Sequence, residues 1–392
     1  MEGELRSRPF VSLILASTFN AWAFYSLVPT LPLYLFETLG LSFSEIGLVI
    51  SSFSISVILF RPFAGYIVDR IPRTKLLKIT LAAVSLIYAI YPSLDKKEEL
   101  IILRILHGIL FGISSSALSA IAADSASLSK IGQAISLYSL TIPLGMIIGS
   151  VTGLTLLKHL GAQVMFQVTL FVSLLSLFFT IFLGSFYPLK EKKHKSVISD
   201  LLLKDAIPFS LSMIFPMVIY GAVNTFVSIH AKQTGLRSVE VFFLLFSIFL
   251  LLARFFTGKL FDRGKIRTLL FTGIVLIFFG TLGLGFSMTD CHFFLSGILC
   301  GSGFGILMPT CQAAINVIAE PQKRGSANST YFLSYDLGIG VSSYMLGHLL
   351  DTTPVGSVYL ALSLLCLVSA FLMFKFAIPQ FEIRAAPRYR QL

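Results

Sequence analysis

Three ionisable residues stand inside long apolar runs: Arg104, His107 and Asp336. An ionisable group at bilayer depth is costly unless it is paired or faces water, so position alone makes each a candidate for chemistry. A carboxylate in a dry setting can exchange a proton near neutral pH, which makes Asp336 a candidate proton or cationic-substrate site. The competing reading is a structural carboxylate, bonded to backbone or tyrosine groups beside Gly338 and Gly340. Arg104 either faces inward or snorkels to water along its own stem. His107 lies one turn deeper. Imidazole titrates in the physiological range, although a lone helical histidine also serves as a hydrogen-bonded packing residue.

Polar and aromatic side chains accompany these three: Asn20, Trp22, Tyr25, Tyr138, Tyr220, Asn224, Gln312, Asn316, Tyr331 and Tyr335. An apolar pocket with a few such handles suits an amphipathic organic solute. Each is equally competent as a hydrogen bond between helices.

The elements that position them follow from composition. Of 392 residues, 55% are apolar and 12% charged, with 37 phenylalanines and a mean hydropathy of +0.86. A soluble domain would carry about 25% charged residues, so the chain is read as a membrane protein. Apolar runs between charged or Pro/Gly breaks predict twelve spans, at 9–37, 44–66, 76–93, 99–122, 132–157, 163–187, 207–232, 239–258, 268–288, 291–318, 326–350 and 355–377. Asp336 falls about ten residues into the eleventh, ~15 Å deep at 1.5 Å per residue and near the midplane of a ~30 Å core. The resulting domains are a half at 1–188, a hydrophilic linker at 189–206, a half at 207–378 and a tail at 379–392.

The halves repeat. Arg61, Phe63, Gly65, Asp69 and Arg70 recur 193 residues later as Arg254, Phe256, Gly258, Asp262 and Arg263. Gly108 and Gly112 recur as Gly301 and Gly305, and the run from Ala134 to Gly145 recurs from Ala327 to Gly338. Such internal symmetry is expected where a substrate binds between repeats. Asp336 maps to Pro143, so only one half holds this acid.

Charge sets an orientation. With the amino terminus cytoplasmic, 24 of the 30 Lys and Arg fall on the cytoplasmic side. Arg104 is then intramembrane, and Lys96, Lys97, Lys158, Lys232 and Arg237 face outward. This bias predicts two cytoplasmic termini and parallel six-helix halves. It also accounts for the net charge of +11 without nucleic acid. The four cysteines, Cys291, Cys300, Cys311 and Cys366, have no metal-like spacing and read as small core residues.

The stretch Gly65-Tyr-Ile-Val-Asp69-Arg70-Ile-Pro-Arg73-Thr-Lys75 resembles the loop 2-3 signature of the major facilitator superfamily, G-x-L-x-D-R-x-G-R-K. Gly258-Lys-Leu-Phe-Asp262-Arg263 is similar to its weaker partner in loop 8-9. Arg104-Ile-Leu-His107-Gly108 resembles the R-x-x-Q-G of helix 4, and Gly145-Met-Ile-Ile-Gly149-Ser150-Val-Thr-Gly153 resembles the helix 5 motif G-x-x-x-G-P-x-x-G of antiporters. Pro72, His107 and Ser150 depart from these patterns, the last weakening the antiport implication. Ser136-Leu-Tyr-Ser-Leu, Tyr220-Gly-Ala-Val-Asn-Thr-Phe, Ala253-Arg-Phe and Asp336-Leu-Gly-Ile are similar to the drug/proton antiporter branch, particularly exporters of opine-type metallophores such as staphylopine.

A charged cluster at a hinge can lock one conformation, because carboxylate and guanidinium pair well in one arrangement only. Arg61, Gly65, Asp69, Arg70 and Arg73, with Arg254, Gly258, Asp262 and Arg263, are read as a gating latch. The alternative is that the basic members fix topology and contact anionic lipid. Gly145, Gly149 and Gly153 share one helix face and predict close backbone packing.

No phosphate-binding loop, nucleophile elbow or paired metal-ligand spacing is present, so neither ATP, an enzymatic centre, a cofactor nor a metal is expected. The expectation is an all-α membrane protein of twelve helices in two six-helix pseudo-repeats, monomeric, in the cytoplasmic membrane. It would export a small amphipathic organic solute, a drug-like compound or a metallophore, in exchange for protons by alternating access, with membrane lipids as its other partners. An importer or facilitator of a small nutrient, and a transporter-like receptor, are the alternatives.

Overall fold

The computed structural model describes residues 7–68, 70–125, 134, 137–184, 186, 204–319 and 324–389. Regular structure among them is helical throughout. Helix α1 (Arg8–Glu37) starts where the Ser7 hydroxyl accepts the Phe10 N–H at 3.4 Å. It is followed by α2 (Phe43–Val68), α3 (Arg73–Ile90) and α4 (Lys97–Asp124). Glu98 and Glu99 sit in the first turn of α4, where the helix dipole favours anions. The helical run Thr141–Phe179 breaks at Gly161, whose φ of 84° and ψ of 172° separate α5 (141–160) from α6 (162–179). Without a Cβ, glycine adopts this backbone at little cost.

Helix α7 (Ile207–Thr234) ends on Gly235 in the left-handed conformation, which lets the chain turn into α8 (Val239–Asp262). Then come α9 (Ile266–Gly285), α10 (Asp290–Ile318) and α11 (Arg324–Leu350). Helices α12 (Val355–Ser363) and α13 (Leu365–Leu372) lead through a π turn at Met373–Ala377 into α14 (Ile378–Tyr389). Ten segments among the described residues are long and apolar enough to cross a membrane. The segment Leu137–Phe182 is one of them and holds both α5 and α6, whereas α11, with its serines, tyrosines and Asp336, is not among the ten.

The chain forms two compact units, one of Met1–Leu41 and Leu48–Lys193, the other of Ser42–Gly47 and His194–Leu392. In the first, the Ser17 and Thr141 hydroxyls lie 2.7 Å apart, those of Ser85 and Ser173 also 2.7 Å, and Ser176 donates to the Ala16 carbonyl. In the second, Tyr359 donates to the Ala222 carbonyl and Ser369 to that of Ser212. In lipid, where no water competes, such bonds and close packing carry helix association.

Two features differ from expectation. Residues 379–392 read as a tail, yet the chain stays helical to Tyr389, with Phe381 buried at 5% exposure. Cys300, Cys311 and Cys366 are buried as core residues, but Cys291 is exposed in the first turn of α10.

Candidate functional site

Arg104 lies on α4, seven residues after its start at Lys97, and is 6% exposed. Its guanidinium carbon stands 4.4 Å from the ring centroid of Phe53 on α2, a cation–π contact. Its Nε has no hydrogen-bond partner, and among the described residues no carboxylate pairs with it. The side chain therefore does not snorkel in this structure.

One turn along, His107 is fully buried in an aromatic cage. Its ring centroid lies 5.2 Å from Tyr88, 5.3 Å from Phe53, 6.2 Å from Tyr91 and 6.3 Å from Phe24. The Tyr91 hydroxyl is 3.4 Å from Nδ1, while Nε2 has no partner. Helices α1 to α4 thus hold a cation and an imidazole away from water. Phe53, Tyr88 and Tyr91 were not singled out in the sequence, since isolated aromatics are abundant in this chain.

The remaining first-unit candidates are packed on α1 and its neighbours. Asn20 is 8% exposed, Tyr25 is half-buried, and Trp22 donates from Nε1 to Thr152 at 2.9 Å. Tyr138 packs on the core cluster of Leu13, Ala117 and Leu118. The partner of the glycine seam is α1 in the same unit. A Cβ on Gly145 would stand 2.7 Å from the backbone of Ala21 and Trp22, one on Gly149 2.9 Å from the Ser26 nitrogen, and one on Gly153 3.0 Å from Ser26. The seam is therefore internal to one unit.

In the second unit Asp336 is half-buried at the middle of α11, twelve residues after Arg324 and fourteen before Leu350. One turn earlier, Tyr331 donates to the Met308 carbonyl at 3.2 Å, and Tyr335 lies 5.8 Å from Tyr220. Tyr220 also meets Phe304 edge-on at 5.1 Å. Asn224 donates to the Tyr220 carbonyl and Asn316 to the Gln312 carbonyl, both at 2.8 Å and both within their own helices.

The hinge residues are described in part. Asp69 lies outside the described residues, and the side chain of Asp262 is likewise not described, nor are the surroundings of Gly65. Arg61 and Arg254 are half-buried, Arg70 and Arg263 exposed. Arg73 is 9% exposed and pairs with Asp124 at the end of α4, inside its own unit. Asp124 was missed because 51 residues separate the partners and nothing in the sequence links them. A Cβ on Gly258 would meet nothing within 4 Å, so no close approach explains that glycine here.

The glycine contacts repeat at the sequence offset. A Cβ on Gly108 would meet the Phe53 carbonyl oxygen at 2.5 Å, and one on Gly301 would meet the backbone of Phe246, 193 residues after Phe53. Gly145 faces Ala21, and Gly338 faces the Ile214 carbonyl at 2.8 Å, again 193 residues on.

Ten long apolar helical segments among the described residues, hydroxyl-bonded helices and ionisable groups buried inside them define an integral membrane protein. The family model of the Major Facilitator Superfamily matches residues 13–290 and 209–389, and the chain belongs to that superfamily. It is similar to the staphylopine export protein of Staphylococcus aureus strain Mu50, with 22% identity over 86% of this chain and 88% of that protein. Multidrug resistance protein 2 of Bacillus subtilis strain 168 is 26% identical over 81% of this chain and 84% of its own. Among solved structures, nucleoside transporter NupG aligns with a TM-score of 0.77 at 17% identity, covering 93% of this chain and 98% of that one. The human organic anion transporter MFSD10 aligns at 0.70 and 17%, covering 93% and 99%.

Proposed function

We propose that the chain is a secondary active transporter that exports a small amphipathic organic solute in exchange for protons, by alternating access of two six-helix pseudo-repeats. Similarity to a metallophore exporter and a multidrug resistance protein supports export. In this reading both termini are cytoplasmic, the protein works as a monomer in the cytoplasmic membrane, Asp336 exchanges the proton, and Arg104 tunes or pairs with it. The polar and aromatic candidates of α1, α7, α10 and α11, with Tyr138 just ahead of α5, contact solute. The hinges of both halves act as gates.

The observation that carries the reading is Arg104. A cation held at 6% exposure, bonded to the Tyr91 hydroxyl but with an unsatisfied Nε and no carboxylate partner among the described residues, is expensive to keep if it serves packing alone. Paired with a substrate or a coupling carboxylate during the cycle, its cost is offset. The test is proton movement in vesicles holding the purified protein and a pH dye, on addition of ethidium, a cationic drug, or iminodiacetate, an amino-carboxylate chelator. Proton flux opposite in direction to the added solute supports antiport. Solute movement without protons makes the chain a facilitator and overturns the coupling.

A further inference from the structure

In each half, the helix that follows the charged hinge is tied at its first turn to the chain leaving the last long apolar helix of that half. In the first unit the Arg73 N–H donates to the Phe186 carbonyl at 2.9 Å. The Thr74 hydroxyl donates to the Gly184 carbonyl at 2.8 Å and accepts the Phe186 N–H at 3.2 Å. Leu183 and Phe186 also pack on the cluster that holds Ala64 and Val68 of α2 and Leu76 and Leu77 of α3. Both sides of the α2–α3 hinge are thereby held by one short segment.

In the second unit, Arg267 stands 193 residues after Thr74, in the first turn of α9. It donates from Nε and Nη2 to the two carboxylate oxygens of Glu382 on α14, at 2.7 and 2.8 Å. Beside Glu382, Phe381 lies 6.2 Å from Phe261 in the last turn of α8 and 6.4 Å from Phe209 in the first turn of α7. Arg384 and Gln380 reach Asp205, just ahead of α7, at 3.1 and 3.4 Å. Both sides of the α8–α9 hinge are again held by the chain leaving the last long apolar helix of the half. Gly184 and Phe186 map at the same offset to Ala377 and Pro379, one turn before Glu382.

We propose that these segments are a pair of clasps that position the two gate hinges, and that Thr74 and Glu382 are positioning residues for transport. The clasps differ in chemistry. The first is made of neutral hydrogen bonds to backbone groups. The second is ionic, between side chains 63% and 46% exposed, a setting in which salt screens the attraction. The bidentate geometry fixes how the two groups meet while exposure screens their attraction, which suits a contact that yields during a cycle. Salt therefore weakens the second clasp more than the first, where the ion pair beside the hinge, Arg73 with Asp124, is the more buried of the two, at 10% and 24% exposure. This inference rests on reading the hinges as gates.

The experiment is amide hydrogen exchange on the full chain in nanodiscs, alongside turnover and KM for whichever of ethidium or iminodiacetate drives protons. Glu382→Gln is expected to speed exchange at 263–267 by about threefold or more, with 70–76 unchanged. High salt reproduces this in the native chain, and the charge swap R267E/E382R reverses it. Thr74→Val speeds exchange at 70–76 alone, independently of salt. Turnover changes in both variants while KM holds. Unchanged exchange at 263–267 in Glu382→Gln, or a charge swap that fails to restore it, overturns the clasp itself. Faster exchange with unaltered turnover leaves the contact standing but overturns its role in gating.

Discussion

The guanidinium of Arg104 rests on the ring of Phe53, 4.4 Å from its centroid, at a depth where no carboxylate answers it among the described residues. The aromatic face supplies part of the lost hydration, as the ring quadrupole attracts a cation. It does not supply a hydrogen bond to Nε. A charge kept under these conditions is more readily explained by transport than by folding, since replacing buried charges with neutral groups is often tolerated.

Arg104→Gln is therefore expected to leave the thermal midpoint of the purified protein unchanged or raised, while transport falls about tenfold or more. Arg104→Lys loses the planar stack on Phe53 and is expected to fall short of native transport as well. A thermal melt beside a flux assay separates the effects. A variant that melts early yet transports normally per folded molecule would make Arg104 a structural residue.

The glycines of α5 give a contrast in stability. Gly149→Ala places a methyl against the Ser26 nitrogen and the Trp22 carbonyl, at 2.9 and 2.5 Å, where backbone on α1 must give way. A loss of ~1–3 kcal/mol is expected from such overpacking. Gly258→Ala meets open space and is expected within about 0.5 kcal/mol of native. Comparing denaturation of the two variants checks the close α1–α5 seam.

Asp124→Asn removes the carboxylate that pairs with the buried Arg73. A loss of ~1–3 kcal/mol is expected from the weakened pair, confined to the first unit. Hydrogen exchange at the start of α3 and the end of α4 reads it directly. Unchanged exchange there would mean that the Phe186 and Gly184 contacts hold the hinge alone.

Much of the architecture was legible from spacing. Gly108 and Gly301 match at an offset of 193 in the sequence, and in the structure each faces the backbone of a phenylalanine at that same offset. Apolar runs also placed Arg104, His107 and Asp336 inside helices, although α11, which holds Asp336, is not among the ten long apolar segments. Partners were not legible. Nothing in one helix says that Arg104 will meet Phe53 or that Arg73 will meet Asp124, because such pairs form only when helices pack. Helix α14 was also missed. Its Pro379 and charged residues read as a tail, yet Pro379 follows the π turn Met373–Ala377, where the regular hydrogen-bond ladder is already interrupted. Phe381 then buries its ring against Phe209 and Phe261 and fixes the helix in place.

The most direct test of the account is proton flux through Asp336→Asn in dye-loaded vesicles, set beside the native chain under the same ethidium or iminodiacetate gradient. The account expects the native protein to move protons when one of these solutes is added, and the variant to move none while remaining folded. Equal proton flux in both proteins would contradict it and leave Asp336 as a structural carboxylate of α11.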